Sequence, residues 1–595
     1  MNNMQPGQGR QIEKQRGRRY NLKSAAHLTG WLLSHTPKAG GKLAWILLLC
    51  VAISLINLAI PMLVGRAIDS LTDVHRLLIS LLVLGFFYLV SGLLGRFQGI
   101  AVSRLAQQIG FELRGRLYRR IMSLPVSYTD THPHGDIMSR MTNDIDAVVQ
   151  TLSVVVPGLL SALITIVGCT LILFRQSPLI TWVNLGVGAA MVLCGGLYSR
   201  LMFGLVLRQQ KVLGHLNAVV AESMAHRRSI SAYGRQKEEI DRMTRASDEM
   251  EQVGIRTQVF GAAMEPMMSV LGNISFLVTA VVGGLLVIEG TISIGMIQAC
   301  LLYSRQLLKP VTEMGMLLSQ IQGGLACADR VRALFDVPPE ADQGSLSLSN
   351  ARIQGALSFE NLSFSYIRGK KVLDHLSLEI RPQETVALVG LTGAGKTTLM
   401  NLLLRFYEPD EGTLRLDGMD LRDIPRRRLY GSMAVILQDG SMMTDTIAES
   451  IAYGRPGASM EEIQAAAKQV CADTMIRQLP QGYETVAGPE SSALSSGERQ
   501  LICLARILLM DPRILILDEA TSSVDARTEQ LVQEALSGIR QGRTCIIIAH
   551  RLNTIRNVDR ILMLDGGHIA EEGTHEQLMA LRGKYYNLYM SGLSE

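Results

Sequence analysis

The sequence predicts an α-helical transmembrane domain with six spans, followed by an α/β domain built around a phosphate-binding loop. Three observations carry this expectation. Six long stretches without a charged residue fall within positions 43–304. After Pro338 and Pro339, short β-rich runs alternate with helical patterns, the order of an α/β domain. Between one such apolar run and one such helix lies GLTGAGKT, from Gly390 to Thr397.

The length of 595 residues allows two to four domains. Hydrophobic residues make up 48% of the chain, high for a soluble protein, so membrane content is expected. A net charge of +5 gives no overall argument for nucleic acid. The eight cysteines show no CxxC and no paired spacing, so they are expected to be reduced apolar residues. The first thirty residues are polar and basic and hold no apolar run, so no cleavable signal peptide is expected.

The uncharged stretches are 43–65, 77–95, 147–174, 176–199, 266–288 and 290–304. A bilayer core needs roughly 20 apolar helical residues. The last stretch is too short unless it continues past Arg305. Buried helices of a soluble protein would need six such runs in one region. Short connections join the first to the second span, the third to the fourth and the fifth to the sixth. The two others are long and basic, with Arg114, Arg116, Arg119 and Arg120 in one and Arg227, Arg228, Arg235 and Lys237 in the other. The basic N-terminus lies on their side, which the positive-inside rule makes cytoplasmic. Both read as helical extensions of the spans.

Arg305, Lys309 and Glu313 recur every four residues on one face of the last span. Arg305 lies about 18 Å along the helix from Ser293. Charge at that depth faces water or a partner. It marks a wet translocation pathway, a structural pair of Lys309 with Glu313 or Glu265, or both. Met264, Met267, Met268, Met296, Met314 and Met316 fit either a deformable substrate surface or ordinary packing.

The linker is placed at 336–352, between a membrane domain at 1–335 and a nucleotide domain at 353–595. Residues 384–390 read as a buried strand feeding the glycine loop. Gly390, Thr392, Gly393, Ala394 and Gly395 let backbone N–H groups curl around phosphates at a helix N-terminus. Lys396 reaches the β- and γ-phosphates, and Thr397, followed by Thr398, offers a hydroxyl to Mg²⁺. A second apolar strand ends at Asp518, placed to hold Mg²⁺, and Glu519 follows, placed to orient or deprotonate an attacking water. The cofactors expected are ATP and Mg²⁺.

These residues resemble the nucleotide-binding domain of ATP-binding cassette (ABC) proteins. The run ALSSGERQLICLARILL resembles the family's signature motif, with Leu494, Ser495, Ser496, Gly497 and Glu498 in place of Leu-Ser-Gly-Gly-Gln. The resemblance makes Gln438 the Q-loop glutamine near Mg²⁺, His550 the switch histidine, Tyr366 the adenine-stacking aromatic and Asp525 part of the D-loop. The first half resembles the six-helix membrane domain of ABC exporters, with a coupling helix near 127–135. Two such chains are then expected to close head-to-tail around two ATPs. Ser495 and the N–H of Gly497 would reach the partner's γ-phosphate.

Departures from the family pattern are Ser496, Glu498, Pro489, Ser491, His226 and Arg227. Neutral drift accounts for them, or else this chain donates a weakened signature. The second reading resembles the catalytic-Glu subunit of heterodimeric bacterial multidrug exporters. A heterodimer is favoured, and a homodimer remains open. The resemblance implies ATP-driven export of a small amphipathic or hydrophobic substrate, drug-like or lipid-like, across a bacterial plasma membrane. Membrane lipid and the small-molecule substrate are expected partners, and nucleic acid is not. A peptide or siderophore cargo is the alternative. A non-transporting ABC ATPase is disfavoured by the six spans, and an ATP-gated channel by the intact Glu519.

Overall fold

The computed structural model describes residues 39–340, 342, 344, 353–367, 369–436, 442–488, 494–518, 526–548 and 555–592. The chain divides into two compact units at Val337 and Pro338, except that Leu124–Thr131 groups with the second.

The first unit is helical. Its elements are α1 (Ala39–Asp69) and α2 (Val74–Met122), then, past α3 (Val126–Thr131) of the other unit, α4 (His134–Ser139) and α5 (Ile145–Gln176). There follow α6 (Pro178–Ala225), α7 (Arg227–Ala232), α8 (Gln236–Ala262), α9 (Met264–Ile288) and α10 (Ile294–Asp336). Side-chain caps start three of the long helices. Asp73 accepts from the N–H groups of His75 and Arg76 at the head of α2. Ser177 caps α6, with Pro178 in the first turn where its missing N–H costs nothing. Ser293 caps α10.

Five helical stretches among the described residues are long and apolar enough to cross a membrane: Gly40–Asp69, Val74–Met122, His134–Gln176, Pro178–Ala225 and Gln236–Ile288. The sixth span, α10, does continue past Arg305, for 43 residues in all. Arg305, Lys309 and Glu313 interrupt its apolar run. The most apolar part of α2 has no buried residue, and Leu82 and Phe86 stand outward there. Such a face needs lipid as its solvent. The extensions expected beyond the spans are present: α2 has 49 residues and α6 has 48. At 1.5 Å per residue each is over ~70 Å long, more than twice a bilayer core.

Helix contacts inside this unit combine apolar packing with a few polar ties. Leu58, Cys169, Leu173, Ile180, Cys300, Tyr303 and Leu307 form a buried cluster. The Tyr303 hydroxyl donates to the Leu58 carbonyl at 2.6 Å. Asn184 of α6 donates to Thr279 and accepts from Ser275, both on α9. Thr279 in turn lies 3.3 Å from the Ser304 hydroxyl of α10. Such hydrogen bonds tie helices where the hydrophobic effect supplies little. None of the eight cysteines forms a disulfide.

The second unit carries three sheets among its described residues, the smallest pairing β7 (Asp445–Thr446) with β8 (Val486–Ala487). Another is antiparallel, order β2-β1-β4-β5, with β1 Leu357–Phe364, β2 Leu373–Ile380, β4 Glu411–Leu416 and β5 Met419–Asp420. The largest has order β12-β11-β3-β10-β9-β6. Its strands are β3 (Thr385–Val389), β6 (Met433–Ile436), β9 (Ile514–Asp518), β10 (Thr544–Ile548), β11 (Arg560–Asp565) and β12 (His568–Gly573). All but β12 run parallel to their neighbours. Parallel strands are buried on both faces, which explains the unbroken aliphatic runs ILIL and CIII. Helix α11 (Lys396–Leu403) follows β3, and α12 (Ser496–Met510) precedes β9.

Candidate functional site

The order of the parallel strands decides where the site lies. β10 pairs with β3 on one side and β9 on the other. The glycine loop after β3 and Asp518 at the end of β9 therefore emerge from the same carboxyl edge, where ligands of open α/β sheets bind. Three other expected residues follow the ends of neighbouring strands in the chain: Gln438 after Ile436, Glu519 after Asp518, and His550 after Ile548. Those three side chains and Asp525 lie outside the described residues.

The loop from Gly390 to Gly395 enters α11 with Gly395 at φ +106°. A Cβ there would also come within 2.7 Å of the Leu373 side chain, so only glycine fits. Thr392 and Gly393 are exposed, and Ala394 is buried. Lys396 is 6% exposed and opens α11. Its ammonium donates to the carbonyl of Gly390 at 2.6 Å and of Leu391 at 3.2 Å. Burial pushes its pKa down, and the charge of Asp518 works against that shift. A buried ammonium at a glycine loop suits a polyanion. Thr397 is exposed in the first turn of α11, while Thr398 is buried. Thr397 is thus accessible to a ligand, whereas Thr398 faces the interior.

Tyr366 lies two residues past β1 and is 45% exposed, which does not fit a tyrosine packed in the core. Asn401 of α11 donates to its hydroxyl at 3.1 Å. Phe364 and Tyr407 meet it edge-on, with ring centroids at 4.9 and 5.0 Å. Sequence reasoning missed Asn401 and Tyr407. The signal for Asn401 was its place one helical turn beyond Lys396 and Thr397. For Tyr407 it was only an aromatic pair, Phe406 and Tyr407, just after the loop helix.

At the head of α12, Ser495 is the cap. Its hydroxyl accepts from the Glu498 N–H, and the Glu498 carboxylate accepts from the Ser495 N–H at 2.7 Å. This is a reciprocal capping box. Glu498 is thereby turned back on its own helix start, a role that glutamine fills equally well. Gly497 is buried within the first turn.

The membrane unit holds the remaining candidates. Arg305 lies over the Phe276 ring, 4.7 Å from its centroid. Lys309 reaches Glu313 at 3.9 Å and its side chain is 74% exposed. Of the six methionines, Met268 is buried, and Met264, Met267 and Met296 pack against the helix core. Met314 and Met316 are exposed.

Residues 43–311 match the family model for the ABC transporter transmembrane region, and residues 373–522 match the ABC transporter model. The uncharacterized ABC transporter ATP-binding protein YfiC of Bacillus subtilis is 36% identical over 98% of this chain and 97% of its own. The chain belongs to the ABC transporters. A fatty acid ABC transporter ATP-binding/permease protein of Mycobacterium bovis is 37% identical, over 88% of this chain and 82% of its own. An ATP-dependent lipid A-core flippase of Syntrophus aciditrophicus is 37% identical, over 85% and 84%. The structure of a bacterial Atm1-family ABC exporter with ATP bound superimposes with a TM-score of 0.76 at 26% identity, covering 94% of this chain and 98% of that one.

This ABC transporter is therefore an exporter half-transporter, with the membrane domain first and the ATPase domain second in one polypeptide. It binds ATP, and its activity is ATP hydrolysis coupled to transport. The exporter fold expected from the motifs is the fold observed.

Proposed function

We propose that this half-transporter exports an amphiphile with an anionic head across a bacterial plasma membrane, with its N-terminus and ATPase domain on the cytoplasmic side. The observation that carries the substrate class is on α10. Arg305 and Lys309 are exposed on one face of an otherwise apolar span. Glu313 offsets Lys309 only through a loose 3.9 Å pair. Charge in a span is costly unless it serves a polar pathway, and exposed cations there attract anions. The relatives named for fatty acid and for lipid A-core support a lipid-like cargo.

At the ATPase domain, Lys396 would leave the loop carbonyls for the β- and γ-phosphates. The Thr397 hydroxyl, the Asp518 carboxylate and Gln438 are hard oxygen donors of the kind Mg²⁺ takes. Bound there, the ion would neutralise phosphate charge. Glu519 would take the proton of the attacking water, His550 would contact the γ-phosphate, and Tyr366 would stack on adenine. Ser495, the Gly497 N–H and Asp525 would complete the site of a second half-transporter across a head-to-tail dimer. Binding of ATP to the closed dimer in preference to the open one would shift the membrane halves outward.

A heterodimer with unequal sites is the favoured assembly. Its support now rests on Ser496, which adds a side chain where the family has glycine, because Glu498 is accounted for as a cap partner. A homodimer is the alternative.

The test of cargo class compares two lipids with one tail and different heads. Lysophosphatidylglycerol is expected to stimulate ATP hydrolysis of the transporter in nanodiscs, and lysophosphatidylcholine is not. Replacing Arg305 and Lys309 together by Gln should abolish that difference. Equal stimulation by both lipids in the native protein would overturn the anionic class.

A further inference from the structure

The segment Leu124–Thr131 of the first cytoplasmic loop groups with the ATPase domain rather than with the helices on either side of it in the chain. It contains α3, and α3 carries Asp130. The Tyr407 hydroxyl donates to the Asp130 carboxylate at 2.9 Å. Tyr407 in turn meets the half-exposed Tyr366 edge-on, at 5.0 Å and 85°. Phe364 closes the triangle, 5.6 Å from Tyr407. Asn401 holds the Tyr366 hydroxyl from the other end.

We infer that Asp130 is a positioning residue for base recognition: through Tyr407 it sets the Tyr366 ring against adenine. The inference rests on the reading that Tyr366 stacks on adenine. The physical chain is short. A carboxylate accepting from a phenol makes a charge-assisted hydrogen bond, stronger than a neutral one. Burial and the neighbouring Asp130 charge both push the Tyr407 phenol well above its ordinary pKa, so it remains a donor at every physiological pH. The hydrogen bond anchors the end of the Tyr407 side chain, and Phe364, edge-on at 5.6 Å, limits rotation of its ring. An edge-to-face neighbour then limits the tilt of Tyr366, because such pairs have preferred geometry. Asp130 and Tyr407 need not touch the nucleotide. They preorganise the surface it stacks on, which lowers the ordering cost of binding.

This assigns the first cytoplasmic loop a task on the base side of ATP, separate from phosphate binding by Lys396 and Thr397. It also makes the linkage reciprocal. If loop position affects adenine affinity, adenine binding biases loop position by the same factor.

The test separates base from phosphate. Binding of ATP and of inorganic tripolyphosphate, which has no base, is measured on the full transporter. Asp130→Ala is expected to weaken ATP binding about three- to tenfold, the scale of one aromatic pair or one hydrogen bond. Tripolyphosphate binding should stay within about twofold, since no phosphate contact is removed. Asp130→Asn keeps an oxygen acceptor but loses the charge, so its ATP binding should lie between that of the native protein and that of Asp130→Ala. Tyr407→Phe should weaken ATP as Asp130→Ala does, and the double variant should be no worse than either. Equal weakening of both ligands, or of neither, in Asp130→Ala would overturn the assignment. Tyr366→Ala serves as the reference. If it too fails to distinguish the two ligands, the stacking reading falls. If it does distinguish them while Asp130→Ala does not, only the positioning role falls.

Discussion

Glu519 follows in the chain a strand-end carboxylate, Asp518, whose strand shares its sheet edge with the strand that leads into the phosphate loop. Glu519→Gln should lower the rate of ATP hydrolysis by roughly 10²- to 10⁴-fold, the usual effect of losing a general base, while ATP binding stays near native. Single-turnover hydrolysis and nucleotide trapping measure both. Tyr366→Ala should raise the KM for ATP more than it lowers kcat, because the proposed stacking would be present in the ground and transition states alike. Steady-state kinetics over a wide ATP range check this. Glu498 illustrates what residue types alone leave open. As a letter it is an acid in a phosphate-facing motif. In the fold its carboxylate is taken by the Ser495 N–H. Glu498→Gln should therefore leave both stability and turnover close to native. Ser495→Ala, which removes the cap, should lower stability by about 1 kcal/mol in thermal unfolding. That the glycine loop and Asp518 each lie at the end of a buried strand was legible, because an unbroken aliphatic run leads into each. Asn401 and Tyr407 were not, because their meaning depends on which side chains the β1 edge brings beside them.

Among the elements, the spans were legible from apolar runs, and their long extensions from helical periodicity. The turn between α5 and α6 falls at Ser177, slightly later than the apolar pattern placed it, since a serine cap followed by proline defines a helix start more sharply than hydropathy does. The last helix runs through Asp336, one residue into the expected linker. Pairing between helices was not legible at all. The ends of α1 and α10 cross at Gly65 and Gly295. A Cβ on Gly65 would lie 2.5 Å from the Gly295 carbonyl oxygen, so neither position tolerates a side chain without separation of the helices. Asp69 seals the crossing, accepting from the Ser293 hydroxyl at 2.6 Å and from the Gly295 N–H at 2.8 Å. Its carboxylate sits at the positive end of α10. Asp69→Ala should cost about 1 kcal/mol, and Gly295→Val considerably more, read as loss of thermal stability in detergent. At the other end of α10, Arg330 grips Asp144 with two nitrogens, and Arg120 donates to the carbonyls of Phe335 and Val337. Asp144 is 4% exposed, so a charge-assisted pair is at stake there. Asp144→Ala should destabilise by about 2 kcal/mol.

For the whole molecule, the sequence divides cleanly where composition changes, and the compact units meet at Val337 and Pro338. The exception is instructive. Leu124–Thr131 lies in the membrane half of the chain yet groups with the ATPase domain, which composition does not reveal because the segment is short and polar. Cargo is equally hidden from motif reading, since an adaptable apolar surface leaves no readable string of residues. The exposed cationic face of α10 is the feature that narrows it. In the proposed cycle, ATP hydrolysis with Glu519 as base drives an anionic amphiphile outward past Arg305 and Lys309. The most direct measurement uses the transporter tagged at its own locus and purified with whichever half-transporter, a second copy or another chain, copurifies with it. It is reconstituted in liposomes with outward-facing ATPase domains, and ATP-dependent inward accumulation of labelled lysophosphatidylglycerol is followed. Accumulation by the native protein is predicted, with none for Glu519→Gln and little for the Arg305→Gln, Lys309→Gln pair. Accumulation that persists in Glu519→Gln, or that is the same for lysophosphatidylcholine, would contradict it.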